Sequence, residues 1–246
     1  MKGKTAVVVG ASSGVGRATL VALANKGMRV YGVARDGERL DRIAREAAGD
    51  VTAIAGDATR PELAQKIVHE LDPDLLVISL GERPKMAPLD EQSWASFSAV
   101  WEADVKATFH LCQEAVRRPL RPGSTVVVIS SGAAINGSPL SGGYAGAKRM
   151  QWFLAGYMQS LSKRRGLGIR FVTLLPKQLV VGTTIGDQAS HAYGEAAGIG
   201  QARFMERFGA PLLPEGVADA IIGIASDVGS DATAFAVTGG GVELLQ

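Results

Sequence analysis

Tyr144 and Lys148 are the two side chains whose types and spacing point most directly to chemistry. They lie four residues apart, and this spacing places both on one face of a helix. A free phenol titrates at about 10 and is a poor proton source at neutral pH, but a neighbouring ammonium favours the phenolate. The pair therefore predicts a general acid or base. The same spacing also arises by chance, and the alternative is a partly exposed helical tyrosine.

Ser130 and Ser131 directly follow the apolar run 126–129, which has the composition of a buried strand. Ligands of open α/β sheets bind at the carboxyl ends of the strands, where these two hydroxyls would stand. A hydroxyl at that edge can orient a substrate carbonyl. Ser131 is the candidate for this role beside Tyr144.

A glycine-rich turn, GASSGVG at residues 10–16, follows the first apolar run and precedes a helical stretch. Glycines let the backbone turn tightly and approach a pyrophosphate, whose charge then lies on the amides at a helix N-terminus. The spacing is G-x-x-x-G-x-G rather than G-x-G-x-x-G, and the alternative is a turn that binds nothing. The cofactor-binding candidates in this turn are Gly10, Ser12, Ser13, Gly14, Val15 and Gly16.

The end of the second apolar run indicates which dinucleotide the turn would serve. A carboxylate at this position would hold a free adenosine ribose, but Ala34 has none. Arg35 instead offers a planar cation that suits a 2′-phosphate, which favours NADP(H) over NAD(H). The alternative is that Arg35 is a solvated surface charge, and the adjacent Asp36 keeps NAD(H) possible.

Short apolar runs alternate along the chain with longer stretches of helical spacing, and these elements must position the candidate residues. Because the runs are continuously apolar, both faces of the sheet are expected to be covered, as parallel sheets require. The prediction is an α/β protein with one domain over residues 1–246, a doubly wound Rossmann-type parallel sheet in three layers. The stretch 177–211 has no clear period and is predicted to be a long substrate loop. The apolar runs are 6–9, 30–33, 51–54, 75–78, 126–129, 171–175 and 234–237, and the helical stretches are 16–26, 38–47, 61–71, 94–117, 144–163 and 214–225.

Composition excludes several classes of protein. The 246 residues carry 26 Lys and Arg against 24 Asp and Glu, and they include one cysteine. A chain of this kind is expected in a reducing cytoplasm without a disulfide framework. Balanced, interleaved charge gives no reason to expect nucleic acid as a partner, and no apolar run is long enough to span a membrane. The three histidines lie far apart, so no metal site is expected.

Taken in order, the glycine turn, the serine and the tyrosine–lysine pair resemble the short-chain dehydrogenase/reductase family in its compact form. The resemblance covers nearly the whole chain and includes a closing Thr-Gly-Gly at 238–240. It implies that Ser131 holds the substrate oxygen, that Tyr144 passes a proton, and that Lys148 binds the nicotinamide ribose. It further implies cofactor contacts at Asp57, Gly81, Pro176 and Thr183.

Two departures from the family pattern bear on the site. The family's Asn-Asn-Ala-Gly after the fourth strand reads ISLG at 78–81, so Leu80 is expected to crowd the cofactor floor. An Asn that positions a water in the family's proton relay is replaced by Asp104. Its carboxylate is expected to pair with Lys148, directly or through water, and the alternative is that it caps or pairs within its own helical region. Because an amide oxygen accepts the same hydrogen bond, Asn at position 104 is expected to leave the chain active.

These observations predict an NADP(H)-dependent oxidoreductase that interconverts a ketone and a secondary alcohol, with Ser131, Tyr144, Lys148 and Asp104 as the catalytic set. One alternative is a reductase of an imine or another biosynthetic intermediate, for which Asp104 and Leu80 leave room. Another is an NADP-binding regulator or scaffold without turnover. The expected partner is a small-molecule substrate. The resemblance also implies a homodimer or homotetramer, formed through the helix that carries Tyr144.

Overall fold

The computed structural model describes residues 1–227 and 229–245, and its strands form one eight-stranded sheet. The strands are β1 (Thr5–Val9), β2 (Arg29–Ala34), β3 (Val51–Ala55), β4 (Leu75–Ile78), β5 (Thr125–Ile129), β6 (Arg170–Pro176), β7 (Ala234–Thr238) and β8 (Gly241–Leu244). Their spatial order is β3-β2-β1-β4-β5-β6-β7-β8. Neighbours from β3 to β7 are parallel, and β8 pairs antiparallel with β7.

The helices cover both faces of this sheet. Their bounds are α1 (Gly14–Asn25), α2 (Gly37–Glu46), α3 (Pro61–His69), α4 (Trp94–Val100), α5 (Lys106–Arg117), α6 (Ala133–Asn136), α7 (Tyr144–Arg165), α8 (Thr184–Ala196), α9 (Gly200–Glu206) and α10 (Pro214–Ser226). Side chains of α1, α2 and α10 share one buried apolar core with the sheet, and those of α3, α5 and α7 share the other. The predicted three-layer α/β fold is therefore confirmed.

Each apolar run predicted as a strand lies within one. Strands in the middle of the sheet are covered on both faces and bury their side chains, whereas the edge strand β3 is only partly covered. All residues of β4 and β5 are buried, for example. The edge strand β8 was not predicted. Its four residues are all exposed, so it carries no apolar run that a sequence pattern could detect.

The predicted helix over 94–117 is divided in the structure. Between α4 and α5, residues Trp101–Val105 form a π-helical segment. One inserted residue per turn rotates the side chains that follow, and such π segments are frequent at functional sites. Asp104 lies in this segment and is buried.

The prediction that 177–211 is a loop without regular secondary structure is wrong, since α8 and α9 lie within this stretch. The two helices pack through small residues, and a Cβ at Gly194 would lie 2.6 Å from the backbone carbon of Gly200. Contacts between glycines leave no apolar stripe in the sequence, which explains why no helical period was visible. Within the described residues, the helices lack the length and apolarity needed to cross a bilayer.

The strand order reverses direction between β1 and β4, which are adjacent in the sheet. At such a topological switch point, the loops that follow the two strands leave in opposite directions and open a crevice. The glycine turn follows β1, and the segment from Ser79 to Gly81 follows β4. The fold thus places the main candidate residues around this crevice.

Candidate active site

A cleft of about 610 Å³ lies along the carboxyl ends of the strands. It brings together the sequence-predicted residues, which come from widely separated parts of the chain. Its lining includes Gly10, Ser12, Ser13, Gly14, Val15, Gly16, Arg35, Asp57, Gly81, Asp104, Ser131, Tyr144, Lys148, Pro176 and Thr183.

The glycine turn has the geometry of a close backbone approach. Gly10 and Gly14 have φ values of 90° and 49°, which side-chain-bearing residues rarely adopt. A Cβ at Gly10 would collide with the carbonyl oxygen of Ser79, and one at Gly16 would collide with that of Gly10. The glycines therefore allow α1 to begin directly against the loop that follows β4.

The start of α1 offers hydrogen-bond donors to the cleft. The first amides of a helix have no partner within the helix. Within the described chain, the Ser13 side chain at the N-cap makes no capping hydrogen bond to them. These uncapped amides, at the positive end of the helix dipole, suit a bound pyrophosphate. The turn therefore fits the phosphates of a dinucleotide cofactor.

The β2 side of the cleft carries cations and carboxylates. Arg35 lies at its rim, where its Nη2 pairs with Glu82 Oε2 at 3.1 Å. Arg39, in the first turn of α2, also lines the cleft. Asp57 Oδ1 accepts hydrogen bonds from the Thr59 amide and hydroxyl at 3.0 and 2.8 Å. The hydrogen bond from the Thr59 amide has the largest effect and holds the pKa of Asp57 below its usual value. Burial opposes this effect, and the Thr59 hydroxyl and Arg35 add to the lowering.

The two serines after β5 have different surroundings. Ser130 is buried, and its hydroxyl donates to the backbone carbonyl of Lys148 at 2.8 Å. It therefore ties β5 to α7. Ser131 is half-buried in the cleft, where its Oγ accepts a hydrogen bond from the Ala133 amide at 3.2 Å. The hydroxyl proton of Ser131 is thus available to a ligand oxygen.

Tyr144 is the first residue of α7 and Lys148 lies one turn further, as their spacing predicted. The Lys148 Nζ atom lies 5.6 Å from the centre of the Tyr144 ring. Close packing fixes this end of the helix, since Trp101 Nε1 donates to the Gly143 carbonyl at 3.0 Å. Ser131, Tyr144 and Lys148 all line the cleft.

Asp104 pairs with Lys148 directly, with 2.9 Å between Oδ2 and Nζ. Their side chains are 1% and 3% exposed. Of the arrangements expected from the sequence, the structure therefore has the direct pair, and neither the water-bridged pair nor the local cap. Lys148 Nζ also donates to the Leu80 carbonyl at 2.8 Å. Burial acts to lower the pKa of Lys148, but the Asp104 carboxylate, together with Tyr144, outweighs burial and raises that pKa above its ordinary value.

The second carboxylate oxygen of Asp104 is also engaged. Oδ1 accepts a hydrogen bond from the Glu82 amide at 2.9 Å. Asp104 thus meets donors at both oxygens, whereas an asparagine would turn its NH₂ group towards one of them. The expectation that Asn at position 104 leaves the chain active stays a prediction.

The segment after β6 crosses the cleft. Thr183 caps α8, since its Oγ1 donates to the Val180 carbonyl at 2.7 Å and accepts from the Gly186 amide at 3.1 Å. Its hydroxyl proton is therefore used within the loop. A Cβ at Gly14 would lie 3.2 Å from Thr183 Cγ2, and one at Gly81 would lie 2.8 Å from Ile185 Cδ1. The start of α8 accordingly packs over both sides of the switch point.

Pro176 ends β6, and its carbonyl accepts a hydrogen bond from the Gly132 amide at 2.7 Å. Leu80, expected to crowd the cofactor floor, contributes its carbonyl to Lys148.

Sequence reasoning missed three residues that organise this site. Glu82 had no recognisable pattern, because it reaches Arg35 and Asp104 only through the fold. Trp101 has no pattern that distinguishes it from a packing residue, although its indole donates to the Gly143 carbonyl. Gln151 is buried and donates to Thr108 Oγ1 at 2.7 Å. Its position three residues after Lys148 on the same helix face was a usable signal.

Comparison with known proteins agrees with this geometry. Residues 4–191 match the family described as short chain dehydrogenase. The chain is 28% identical over 207 residues to an NADPH-dependent pterin aldehyde reductase of Arabidopsis thaliana, covering 81% of this chain and 82% of that protein. It is 30% identical over 199 residues to a D-threitol dehydrogenase of Mycolicibacterium smegmatis, covering 77% and 74%.

Among solved structures, the sorbitol-6-phosphate 2-dehydrogenase of Erwinia amylovora superposes with a TM-score of 0.82 at 22% identity, covering 96% of this chain and 98% of that one. At this identity the likeness concerns the fold. With the family match over most of its length, the chain belongs to the short-chain dehydrogenase family of oxidoreductases.

Proposed function

We propose that this chain is an NADP(H)-dependent oxidoreductase that interconverts a ketone and a secondary alcohol. One observation carries the proposal. Ser131, Tyr144 and Lys148 line the same cleft as the uncapped start of α1, so a proton donor and a dinucleotide site share one cavity. Two relatives, one named as a pterin aldehyde reductase and the other as a D-threitol dehydrogenase, support the interconversion of a carbonyl compound and an alcohol.

The choice of NADP(H) is supported by the cations at the β2 side of the cleft. Arg35 and Arg39 line it after β2 and in the first turn of α2. A guanidinium can bind a phosphate through two parallel hydrogen bonds. One relative is named as NADPH-dependent, which agrees with this choice.

In the proposed reaction, the bound nicotinamide supplies or accepts the hydride. Ser131 donates a hydrogen bond to the substrate oxygen and orients the carbonyl. Tyr144 transfers its phenolic proton to that oxygen during reduction and takes it back during oxidation. The ammonium of Lys148, 5.6 Å from the ring centre, stabilises the phenolate that remains after transfer.

Asp104 adjusts this charge balance. Its carboxylate lies 2.9 Å from Lys148 Nζ, so the pair carries less net positive charge than a lone ammonium. We infer that Asp104 is a positioning residue, because its carboxylate holds the Lys148 ammonium in place beside the Tyr144 ring.

The test is a titration of the native protein with NADPH and NADH, followed by a panel of ketones, aldehydes and imines. NADPH binding that is tighter than NADH binding, with oxidation of NADPH by a ketone, supports the proposal. Oxidation by imines alone would assign the chain to imine reduction. Binding without oxidation by any member of the panel would indicate a regulator or scaffold, and failure to bind NADPH would overturn the proposal.

A further inference from the structure

Glu82 is an unexpected carboxylate at the place where the cofactor's 2′-phosphate is proposed to bind. It directly follows Gly81, and its Oε2 pairs with Arg35 Nη2 at 3.1 Å. Arg35 is 74% exposed and Glu82 is 29% exposed, so the pair stands at the open rim of the cleft. Glu82 therefore engages one donor of the guanidinium that the proposed function gives to the phosphate.

The other nearby carboxylates are committed elsewhere. Asp36 Oδ1 accepts the Arg39 amide at 3.0 Å and caps α2. Asp57 Oδ1 accepts two hydrogen bonds from Thr59. Glu82 is thus the carboxylate that engages Arg35 by direct contact.

The main chain holds Glu82 in place. Its amide donates to Asp104 Oδ1 at 2.9 Å, and Asp104 is itself buried against Lys148. An anchored backbone keeps the carboxylate near Arg35 when a ligand arrives. A 2′-phosphate would then share the guanidinium with a second anion, whereas a ribose hydroxyl would bring no added negative charge and could donate to the Glu82 oxygen.

We propose that Glu82 is a specificity-determining residue that competes with the 2′-phosphate for Arg35 and lowers the preference for NADPH over NADH. This inference rests on the proposed function, because it assumes that a dinucleotide binds in the cleft. Its size is limited by solvent, since exposed ion pairs contribute modestly. We expect Glu82→Gln to tighten NADPH binding by about fivefold, the size of effect typical of an exposed charge pair, and to leave NADH equal or weaker.

The experiment measures the dissociation constants of NADPH and NADH by fluorescence titration for the native protein and for Glu82→Gln. Glutamine keeps the length of the side chain and the backbone amide that bonds Asp104. Glu46→Gln is the matched control, because Glu46 is exposed at the end of α2 and removes the same charge outside the cleft lining. Glu82→Ala is the second variant, and it is expected to shift the ratio of the two constants in the same direction.

Placing the substitution in an Arg35→Ala background tests whether Glu82 acts through the guanidinium. In that background, Glu82→Gln should change the logarithm of the NADPH dissociation constant by less than half as much as it does when Arg35 is present. An unchanged or weaker NADPH affinity in both Glu82 variants would overturn the inference. So would a Glu82→Gln effect on NADPH affinity that is equally large in the Arg35→Ala background, or a Glu46→Gln effect as large as that of Glu82→Gln.

Failure of this inference and failure of the proposed function give different results. A native protein that binds neither cofactor contradicts the function, and the inference falls with it. A native protein that prefers NADPH while both Glu82 variants leave the ratio unchanged contradicts only the role of Glu82. A native preference for NADH that both Glu82 variants shift towards NADPH contradicts the proposed cofactor while supporting the role of Glu82.

Discussion

Two cation–carboxylate pairs line the cleft, and they differ chiefly in burial. Lys148 and Asp104 are 3% and 1% exposed, whereas Arg35 and Glu82 are 74% and 29% exposed. A charge removed from water is costly unless it is paired, so breaking the buried pair should affect stability. An exposed pair contributes little to stability, and its partners remain available to a ligand. The buried pair is thus expected to stabilise the fold around the site, and the exposed pair is expected to influence how strongly a ligand binds.

The largest expected effect comes from breaking the buried pair. Lys148→Met should lower the free energy of unfolding by about 3 to 5 kcal/mol, because it leaves the Asp104 carboxylate buried without a cation. Arg35→Met is the matched control and should cost less than about 1 kcal/mol, as is typical of an exposed pair. Urea unfolding of both variants measures the difference. Equal losses would show that burial does not distinguish the two pairs.

The next effect concerns cofactor affinity at the exposed pair. Arg35→Ala should weaken NADPH binding by about 1.5 to 3 kcal/mol, the usual contribution of hydrogen bonds to a charged group. NADH lacks the phosphate and should lose far less. Titration of both cofactors checks this result, and comparable losses for NADPH and NADH would mean that Arg35 does not contact a 2′-phosphate.

The smallest expected effect is a pH dependence of the free energy of unfolding that has opposite signs in the native protein and in Asp104→Asn. The raised pKa of Lys148 stabilises the native protein below 10.5, and this contribution is lost as pH rises from 10.5 towards the folded-state value. In Asp104→Asn, burial acts on Lys148 without the carboxylate and lowers its pKa, so stability should instead rise between that lowered value and 10.5.

Urea unfolding of the native protein and of Asp104→Asn, repeated from neutral to alkaline pH, tests this reversal. The gap between their free energies of unfolding should narrow by about 1 to 2 kcal/mol, since each pKa unit corresponds to about 1.4 kcal/mol. A constant gap would show that Asp104 does not control the protonation of Lys148.

The two sides of the cleft also differ in how far the sequence predicted them. Spacing along one helix was enough to place Tyr144 beside Lys148, and the continuously apolar runs located the parallel strands that carry the glycine turn and Ser131. Contacts between distant segments were less accessible. The pairing of Asp104 with Lys148 was expected only from the family resemblance, because Asp104 lies in a π-helical segment that leaves no simple period in the sequence.

Glu82 lay beyond sequence reasoning for a similar reason. Its contacts with Arg35 and Asp104 join positions 47 and 22 residues away, and only the sheet order brings them together. The helix α8 was missed because the residues that it buries are small, namely Gly186, Ala189, Ser190 and Gly194, and give no apolar stripe. The oligomeric state stays a prediction.

The central claim is that Tyr144 is the proton donor of an oxidoreductase, and the turnover number of Tyr144→Phe tests it most directly. Phenylalanine keeps the ring and removes only the hydroxyl. Tyr157→Phe is the control, because Tyr157 lies on the same helix and is 61% exposed. With the best ketone of the panel, Tyr144→Phe should reduce turnover by about 10² to 10⁴, the usual contribution of acid catalysis. Tyr157→Phe should stay near the native rate. A Tyr144→Phe enzyme that keeps more than about a tenth of native turnover would contradict the assignment, since acid catalysis contributes far more than that.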